Sequence, residues 1–395
     1  MTPRGGSSFS PFSPPIFVSM ILLILCLIAV SFAISWLVTQ WMQRFAVRIG
    51  FVDRPGGRKI HANPKPLGGG VGIFIGLAAP IILGLGFVAF APPPGFVRSI
   101  MPAHIDAYWS GARLQSPLAW KILAAGALIH LLGLWDDRRA LGPMLKLIVQ
   151  LLITTILVLS ANLRVLTFLD SAIPGGHLIS VVITILWIAA VTNAFNFLDN
   201  MDGLSAGVAA VCTTAFLIAT LSIGQWFVAA ALALLLGSTL GFLWHNFPPA
   251  KIFMGDGGSL LIGLMLGVLT VRTTYLAPGA NWQNDWYSVF APVIVLALPL
   301  YDLIVVSIIR LMRGKSPFVG DTNHFSHRLV ARGMSRQTAV LCLYLVAAAT
   351  SVAAIMLPHV QGRFAPFIFV QTILILGVVA LLEQVAIGSK SETDV

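Results

Sequence analysis

Two apolar runs enclose the segment Asn193-Ala-Phe-Asn-Phe-Leu-Asp-Asn-Met-Asp-Gly-Leu-Ser-Ala-Gly207. Four polar side chains recur in it at every third position: Asn193, Asn196, Asp199 and Asp202. On an α-helix, steps of three residues drift by about 60°, so the four side chains would spread over roughly half the circumference; on a 3₁₀ turn they would stack. A polar stripe therefore ends a hydrophobic segment. A simple helix cap at Asp202 is the alternative, but a cap needs a single acceptor.

The composition is typical of an integral membrane protein. Hydrophobic residues make up 57% of the 395 residues, charged residues only 10%, and the mean hydropathy is +0.91. About a quarter of the residues of a soluble protein are charged. Apolar runs of about 20 residues recur along almost the whole chain, which favours spanning helices over barrel strands. We therefore predict one all-α polytopic membrane domain, residues 1–395.

Eleven membrane spans are predicted from the apolar runs. They cover residues 16–38, 68–91, 118–135, 144–162, 178–197, 204–223, 226–244, 259–272, 286–309, 338–357 and 364–386. An alternating path through them places most of the lysine and arginine residues on one side. Since basic loops stay in the cytoplasm, the N-terminus is predicted to lie outside and the C-terminus in the cytoplasm. The first run is too long for a signal-peptide core and is kept as a span.

The net charge of +10 does not indicate nucleic-acid binding, because no basic cluster is interleaved with aromatic residues on a soluble face. Cys26 and Cys212 lie inside apolar runs, which argues against a disulfide framework.

The first cytoplasmic loop carries Lys59 and His61 among several glycines and prolines. Glycines let a backbone approach a ligand closely, and both side chains donate hydrogen bonds suited to phosphate. An ordinary basic loop explains the same residues equally well.

Adjacent carboxylates, Asp136 and Asp137, end the third span. Neighbouring residues on a helix point about 100° apart, so one carboxylate can face a metal ion while the other faces a second group. The two repel each other without a cation, and Arg138 and Arg139 would supply it in a solvated loop. Lys146 follows at the start of the fourth span, where it would hold an anionic headgroup.

A lone carboxylate, Asp256, lies among the glycines of Met254-Gly-Asp-Gly-Gly-Ser259, and a helix is expected to begin at Ser259. Mg²⁺ takes one or two carboxylates and otherwise keeps water or substrate phosphate oxygens. A glycine-rich turn before a serine cap is the alternative. The segment holds more glycines than a turn requires, which favours the ligand.

The span at 286–309 is expected to be bent, because Pro292 and Pro299 interrupt its hydrogen-bond ladder. The same span contains Asp302. An ionisable residue inside a span normally faces a wet cavity or a partner, and the sequence leaves the role of Asp302 open.

The largest cytoplasmic loop contains His324, His327 and Arg328. No further cysteine or histidine cluster completes a zinc site there. The three side chains are better suited to hydrogen-bonding a diphosphate or a sugar. A basic loop that anchors the inner leaflet is the alternative.

All five polar segments fall on the cytoplasmic side under this one topology. Carboxylates beside lysine, arginine and histidine at a membrane interface are typical of a site for Mg²⁺ and phosphates with access to a lipid. We therefore predict an active site at the cytoplasmic face.

Four ordered motifs carry a family resemblance. They are Gly133-Leu-x-Asp-Asp137, Asn193-x-x-Asn-x-x-Asp-x-x-Asp-Gly203, Met254-Gly-Asp-x-Gly-Ser259 and Asp321-x-x-His-x-x-His-Arg-Leu329. Together they resemble the polyprenyl-phosphate N-acetylhexosamine-1-phosphate transferase family, whose relatives include phospho-MurNAc-pentapeptide transferase. The similarity covers about residues 50–335, in order and with matching spans.

The resemblance implies the transfer of an N-acetylhexosamine 1-phosphate from a UDP-sugar to undecaprenyl phosphate, with release of UMP. It implies Mg²⁺ as the cofactor, with Mn²⁺ as an alternative. It also implies a multi-pass protein of the bacterial inner membrane that initiates the synthesis of a cell-envelope glycan such as cell wall or lipopolysaccharide. The lipid phosphate oxygen would attack the phosphorus that carries the sugar, while metal and cations stabilise the charge on the leaving UMP.

The resemblance also implies roles for individual residues. Asp256 would be the main Mg²⁺ ligand, and Asp136 and Asp137 would hold the metal or the lipid phosphate, with Lys146 nearby. The remaining assignments are Asn193, Asn196, Asp199 and Asp202 to the nucleotide pocket, and His324, His327 and Arg328 to the diphosphate-sugar side.

The sequence departs from the family pattern at two positions. Ser326 stands where many relatives carry a third histidine, which would change the sugar-side contact. Asn200 stands where glycine is common, and asparagine tolerates the left-handed conformation.

Other functions stay open at this point. Asp199-x-x-Asp202-Gly203 superficially resembles CDP-alcohol phosphotransferases, but the Ala-Arg and the later paired aspartates of that pattern are missing. UDP-MurNAc-pentapeptide is the less favoured donor, because the last loop is more similar to the hexosamine branch. If the protein were a lipid or sugar-phosphate transporter, we would expect charged residues near the middle of the spans and a sequence repeat between the two halves of the chain. The UDP-sugar is left open, as is the oligomeric state, with a homodimer among the options.

Overall fold

The computed structural model describes residues 14–53, 64–89, 105–273, 286–316 and 324–384, with four further positions between 92 and 98. The predicted phosphate-binding residues Lys59 and His61 lie outside the described residues.

The described residues form a helical bundle with one short antiparallel strand pair. The helices are α1 (Pro14–Arg48), α2 (Gly69–Ala89), α3 (Ile105–Arg138), α4 (Pro143–Ala161), α5 (Leu169–Ala172), α6 (Gly176–Leu198), α7 (Leu204–Ser222), α8 (Trp226–Asn246), α9 (Asp256–Arg272), α10 (Ala291–Val295), α11 (Ala297–Met312), α12 (Phe325–Ala331), α13 (Arg336–Met356) and α14 (Ala365–Gln384). The strands are β1 (Val52–Asp53) and β2 (Lys65–Pro66), and 3₁₀ turns cover Trp286–Phe290, Leu357–His359 and Gly362–Phe364.

The helical membrane class is confirmed, but the predicted count of eleven spans is not. Nine helices of the described residues are long and apolar enough to cross a membrane, or ten if the bent pair at Tyr287–Val295 and Ala297–Met312 is one span. The remaining predicted span, 259–272, forms α9 with 17 residues. At about 1.5 Å per residue α9 measures roughly 25 Å, which is at the lower end of the lengths expected of a spanning helix.

Several helices extend beyond the predicted spans. α1 continues to Arg48 although its predicted span ends at 38, and α3 begins at Ile105 although its predicted span begins at 118. Hydropathy detects only the apolar part of a helix, whereas polar residues such as arginine and glutamine also favour the helical backbone. The residues from Ile105 to the start of the predicted span at 118 are therefore also helical.

The predicted bend in the span at 286–309 is confirmed. The axes of its two helical parts differ by 69°. Pro292 and Pro299 each fall in the first turn of a helix, α10 and α11, where the missing N–H leaves no intrahelical bond unmade.

Helix α9 lies in the interior of the bundle. Every residue from Gly257 to Thr270 is buried. Glycines allow this close packing: a Cβ atom at Gly70 of α2 would overlap the backbone of Gly258, and one at Gly263 would lie 2.5 Å from Thr192 Cα of α6. The start of α9 is therefore held tightly by the helices around it, which positions Asp256.

Candidate active site

A polar cluster lies where α3, α4, α6 and α9 meet. The ammonium of Lys146 is 3.1 Å from Asp136 Oδ2 and also pairs with Asp256 Oδ2. Asn196 Nδ2 donates to Asp256 Oδ1 at 2.8 Å and to Ser259 Oγ at 3.0 Å. The side chains of Lys146 and Asp136 are only 17% and 16% exposed. One largely buried ammonium thus bridges two carboxylates that are far apart in the sequence.

Asp137 faces a different partner from Asp136. Its two carboxylate oxygens accept hydrogen bonds from the backbone N–H groups of Asp256, at 2.8 Å, and Gly257, at 3.2 Å. The first N–H groups of a helix have no intrahelical acceptor and carry partial positive charge, so a carboxylate from α3 stabilises the start of α9. The φ of Gly255 is +75°, and a Cβ atom there would overlap the Asp137 carboxylate. Asp137 therefore holds the backbone of Asp256 in place.

Gly133 sets the distance between α3 and α9, and its replacement is a first test of this packing. A Cβ atom at Gly133 would overlap the backbone of Asp256 and Gly257, which cannot rotate away as a side chain would. We expect Gly133→Ala to lower the free energy of unfolding by about 1–3 kcal/mol, as overpacked sites typically do. Thermal unfolding of the purified protein measures the change. Gly111→Ala is the control, because it lies on the same helix with no atom within 4 Å of the added Cβ. Equal midpoints for the two variants would contradict the close packing.

The first two polar residues of the central segment lie on α6 and contact different helices. Asn193 Nδ2 donates to Gln150 Oε1 of α4 at 2.9 Å. Asn196 contacts the first turn of α9, as described above. The stripe predicted from the sequence thus joins α6 to both α4 and α9.

Asp202 does not cap the next helix. α6 ends at Leu198, so Asp202 lies in the turn before α7, whose N-terminal cap residue is Gly203. The Asp202 carboxylate instead accepts a hydrogen bond from the backbone N–H of Ala250 at 2.9 Å. Asn246 Oδ1 accepts from the N–H of Gly203 at 2.9 Å, which ties the same two loops together. The simple cap considered for Asp202 is therefore not formed.

Asp199, in the turn after α6, lies among other carboxylates. Burial raises the pKa of Asp199 well above its ordinary value of 3.8, and the negative charges of Asp256 and Asp137 raise it further. A hydrogen bond from the backbone N–H of Gly255 opposes this rise. A cation among these carboxylates would relieve the repulsion.

The donor set fits a magnesium ion that is completed by a substrate. Among the residues that the structure describes, no group of three or more histidine, cysteine, aspartate or glutamate side chains is arranged as a metal site. Mg²⁺ does not require three such side chains, since it is usually bound by one or two carboxylates together with water and phosphate oxygens. Asp256 and Asp136 share one cation already, the ammonium of Lys146, and both provide the oxygen atoms that Mg²⁺ prefers.

The histidine-bearing helix α12 packs against the central segment. Ser326 is fully buried, and its Oγ donates to Asn200 Oδ1 at 2.6 Å. Asn200 Nδ2 in turn donates to the carbonyl of Phe197 at 2.7 Å. His327 also hydrogen-bonds the backbone of Asn200, and Arg328 follows it, partly buried, on α12. The two positions at which the sequence departs from the family pattern, 200 and 326, are therefore in direct contact.

His327 gives this region a pH dependence that can be measured. Burial lowers the pKa of His327 below its ordinary value of 6.5, and the positive charge of Arg336 lowers it further. The folded state then binds this proton more weakly than the unfolded state, so stability is present above about pH 6.5 and is lost as the pH falls below it. We expect the thermal midpoint to fall between about pH 7 and about pH 5, and to fall less in His327→Gln. His177→Gln, at an exposed site, is the control. An unchanged slope in His327→Gln would contradict this assignment.

His324 does not share the environment of His327. It is 5% exposed, its Nδ1 lies 2.8 Å from Asp302 Oδ2 and its Nε2 lies 3.4 Å from Arg310 Nη2. Sequence reasoning did not single out Arg310, although a signal existed. Asp302, Val306 and Arg310 recur every four residues and are all buried, which marks one face of α11.

The first cytoplasmic loop is described only at its two ends, where β1 and β2 pair with each other. The carbonyl of Pro66 accepts a hydrogen bond from the N–H of Phe253 at 2.9 Å, and Lys65 Nζ donates to the carbonyl of Ala250. The strand pair on either side of the segment 54–63 is thus joined to the loop that leads to Asp256. All the polar segments with described residues meet at one end of the bundle.

An apolar groove of about 580 Å³ opens on another side of α3. α1 contributes Trp41 and Phe45, α3 contributes Trp135 and Arg138, and Arg139 follows directly after α3. Within the described part of the chain neither arginine side chain forms an ion pair. Such a lining suits a lipid tail beside an anionic group.

The fold and the site define a class: a multi-pass membrane protein whose carboxylates, amides and lysine form a polar site at one end of the helices. Comparison with known proteins agrees. Residues 119–274, which include the cluster around Asp256 but not α12, match the model of glycosyl transferase family 4.

Three relatives illustrate the similarity. The chain is 31% identical over 362 residues to the probable undecaprenyl-phosphate N-acetylglucosaminyl 1-phosphate transferase of Bacillus subtilis (strain 168), covering 89% of this chain and 91% of the relative. It is 32% identical to the decaprenyl-phosphate N-acetylglucosaminephosphotransferase of Mycolicibacterium smegmatis, covering 79% and 76%. It is 28% identical to the undecaprenyl-phosphate alpha-N-acetylglucosaminyl 1-phosphate transferase of Salmonella typhi, covering 78% and 76%. The chain belongs to glycosyl transferase family 4, and the family resemblance predicted from the four motifs is confirmed.

Proposed function

We propose that this protein transfers N-acetylglucosamine 1-phosphate from UDP-N-acetylglucosamine to undecaprenyl phosphate, forming a lipid-linked diphosphate sugar and UMP. The names of the relatives support the reaction class and the lipid acceptor. The observation that carries the proposal is the buried cluster of Asp136, Lys146, Asn196 and Asp256, which collects carboxylate, ammonium and amide groups from four helices.

The proposed setting is the bacterial inner membrane. We place the N-terminus outside, the C-terminus and the active site on the cytoplasmic side, and the catalytic core within one domain at about residues 50–335. The concentration of basic residues in the loops at the cluster's end of the bundle supports this orientation. The product would initiate a cell-envelope glycan.

The residues of the cluster would have separate roles in binding the substrates. Asp256 and Asp136 would hold Mg²⁺, which when bound neutralises charge on the diphosphate and the leaving UMP. Lys146 lies between the same carboxylates, where its ammonium would also face a phosphate. Asp137 would keep Asp256 in place by stabilising the start of α9.

The other assignments concern binding. Residues on and after α6 would line the nucleotide pocket, and α12 with the first cytoplasmic loop would face the diphosphate and the sugar. The first group comprises Asn193, Asn196, Asp199 and Asp202, and the second comprises Lys59, His61, His327 and Arg328. The hydrogen bonds between α12 and the turn after α6 support a shared pocket.

The proposed reaction forms one phosphorus–oxygen bond and breaks another. An oxygen of the lipid phosphate attacks the phosphorus that carries the sugar, and the bond from that phosphorus to the UMP oxygen breaks. Catalysis of phosphoryl transfer rests largely on positioning and on stabilising charge. The acceptor phosphate is already ionised near neutral pH, so no side chain is needed as a base.

The test is an assay of UMP release by the purified protein with undecaprenyl phosphate, Mg²⁺ and several donors. UDP-N-acetylglucosamine, UDP-N-acetylgalactosamine and UDP-MurNAc-pentapeptide distinguish the proposed donor from its alternatives. We expect release that depends on the lipid, stops with a chelator and returns with Mg²⁺ or Mn²⁺. If folded protein bound the lipid but released no UMP from any donor, the enzyme would be rejected in favour of a transporter.

A further inference from the structure

Asp302 is a buried carboxylate that none of the roles above uses. It lies on α11 and is 0% exposed. Its Oδ2 is 2.8 Å from His324 Nδ1, and its Oδ1 accepts a long hydrogen bond of 3.4 Å from the backbone N–H of Phe325. A buried carboxylate is expensive to maintain unless it is paired and hydrogen-bonded. Asp302 therefore fixes His324 and the start of α12.

The hydrogen-bond pattern determines the tautomer of His324. An arginine side chain can only donate, so His324 Nε2 must accept from Arg310 Nη2 at 3.4 Å. The proton then resides on Nδ1, which donates to the Asp302 carboxylate. Both ring nitrogens are engaged by protein groups, which leaves His324 no polar atom for a substrate.

Arg310 carries this chain of contacts to the active site. It is 2% exposed, and its guanidinium carbon lies 5.0 Å from the ring centre of Phe197. The edge of the His324 ring also meets the Phe197 ring, with the centres 6.0 Å apart. Phe197 directly follows Asn196 in α6, and Asn196 donates to the Asp256 carboxylate at 2.8 Å. The end of α6 is thus held by a cation on one side and bonds to Asp256 on the other.

We propose that Asp302, His324 and Arg310 form a buried relay that positions the end of α6 for the transfer reaction. Asp302 orients His324, His324 orients Arg310, and Arg310 holds Phe197 so that Asn196 keeps its bond to Asp256. In this inference, which rests on the proposed function, His324 acts through Arg310 and not on the diphosphate-sugar. All three are positioning residues.

Steady-state kinetics separate positioning from substrate contact. We expect Asp302→Asn and His324→Gln to lower kcat for UMP release by about 10²-fold, the loss that a displacement of roughly 1 Å can produce. The KM values for UDP-N-acetylglucosamine and undecaprenyl phosphate should stay within about threefold, because the relay touches neither substrate. A rise in the KM for the UDP-sugar with unchanged kcat would overturn the inference, since it would place His324 on the substrate. Arg313→Gln, an exposed arginine just after α11, is the control.

A thermal measurement distinguishes positioning from stability alone. Asp302→Asn removes the charge of the buried carboxylate that His324 Nδ1 and the backbone N–H of Phe325 contact, so the thermal midpoint should fall. At a temperature well below that midpoint, where the variant is folded, kcat should still be low. A wild-type kcat at that temperature would overturn the inference, because the relay would then serve folding only.

The wild-type assay keeps the two proposals apart. If the wild type releases UMP and the variants match it, the relay is wrong and the proposed function stands. If the wild type releases no UMP, the proposed function is wrong. The relay then has no role in that reaction, and the inference is wrong as well.

Discussion

Asp256→Asn is expected to reduce the rate of UMP release by at least about 10³-fold, the upper range for the loss of one group that stabilises transition-state charge. Asparagine has nearly the shape of aspartate, but its single side-chain oxygen can accept from only one of the two donors, Asn196 Nδ2 and Lys146 Nζ. The substitution removes the negative charge that would hold Mg²⁺. A metal ion that is no longer held cannot neutralise the charge that develops on the leaving UMP.

The assay for Asp256→Asn needs a matched control and a check of the fold. Asp170→Asn makes the same chemical change at an exposed site, where the carboxylate pairs with Arg164 at 2.8 Å far from the cluster. This control should release UMP at the wild-type rate. A rate for Asp256→Asn above about one tenth of the wild-type value would refute its proposed role as the main metal ligand.

Lys146→Met is expected to affect both activity and stability. Its ammonium is the common partner of Asp136 and Asp256, so its loss leaves two largely buried carboxylates close together without a cation. Breaking one side of a buried ion pair typically costs about 3–5 kcal/mol. The rate should fall by about 10²-fold to 10³-fold, because a cation beside the reacting phosphates is lost as well.

A double variant separates these two effects of Lys146. Adding Asp136→Asn to Lys146→Met removes one of the stranded carboxylates, so the thermal midpoint should rise toward the wild-type value. The rate of UMP release should stay low, since neither substitution restores a cation. Lys121→Met is the control, because Lys121 is exposed and donates to the carbonyl of Ser160, which is not part of the cluster. If the double variant regained the rate along with the midpoint, Lys146 would be a structural residue alone.

Residues that are neighbours in sequence often have separate tasks in this site. Asp136 pairs with Lys146, whereas Asp137 binds the backbone at the start of α9. We therefore expect substitutions at the two positions to differ in kind: changes at Asp136 act on the charge of the site, and changes at Asp137 act on the position of Asp256.

The sequence alone was sufficient to predict the membrane class and the family. Long apolar runs leave a chain few options, because backbone groups in lipid must be bonded within a helix or a closed barrel. The bend at Pro292 and Pro299 was predictable for an equally local reason, since proline removes an N–H wherever it stands. The four motifs indicated the family because chemical groups and spacing are properties of the chain itself.

Only the tertiary structure decided how many helices are long enough to span and which side chains meet. α9 is shorter than the nine clear spans, yet it lies at the centre, because glycines on α2, on α3 and on α9 itself let it pack there. Lys146 and Asp256 are far apart in sequence, as are Asp302 and His324, and no local pattern encodes their pairing. Such contacts depend on the distances between packed helices, which are set by shape and volume across the whole bundle.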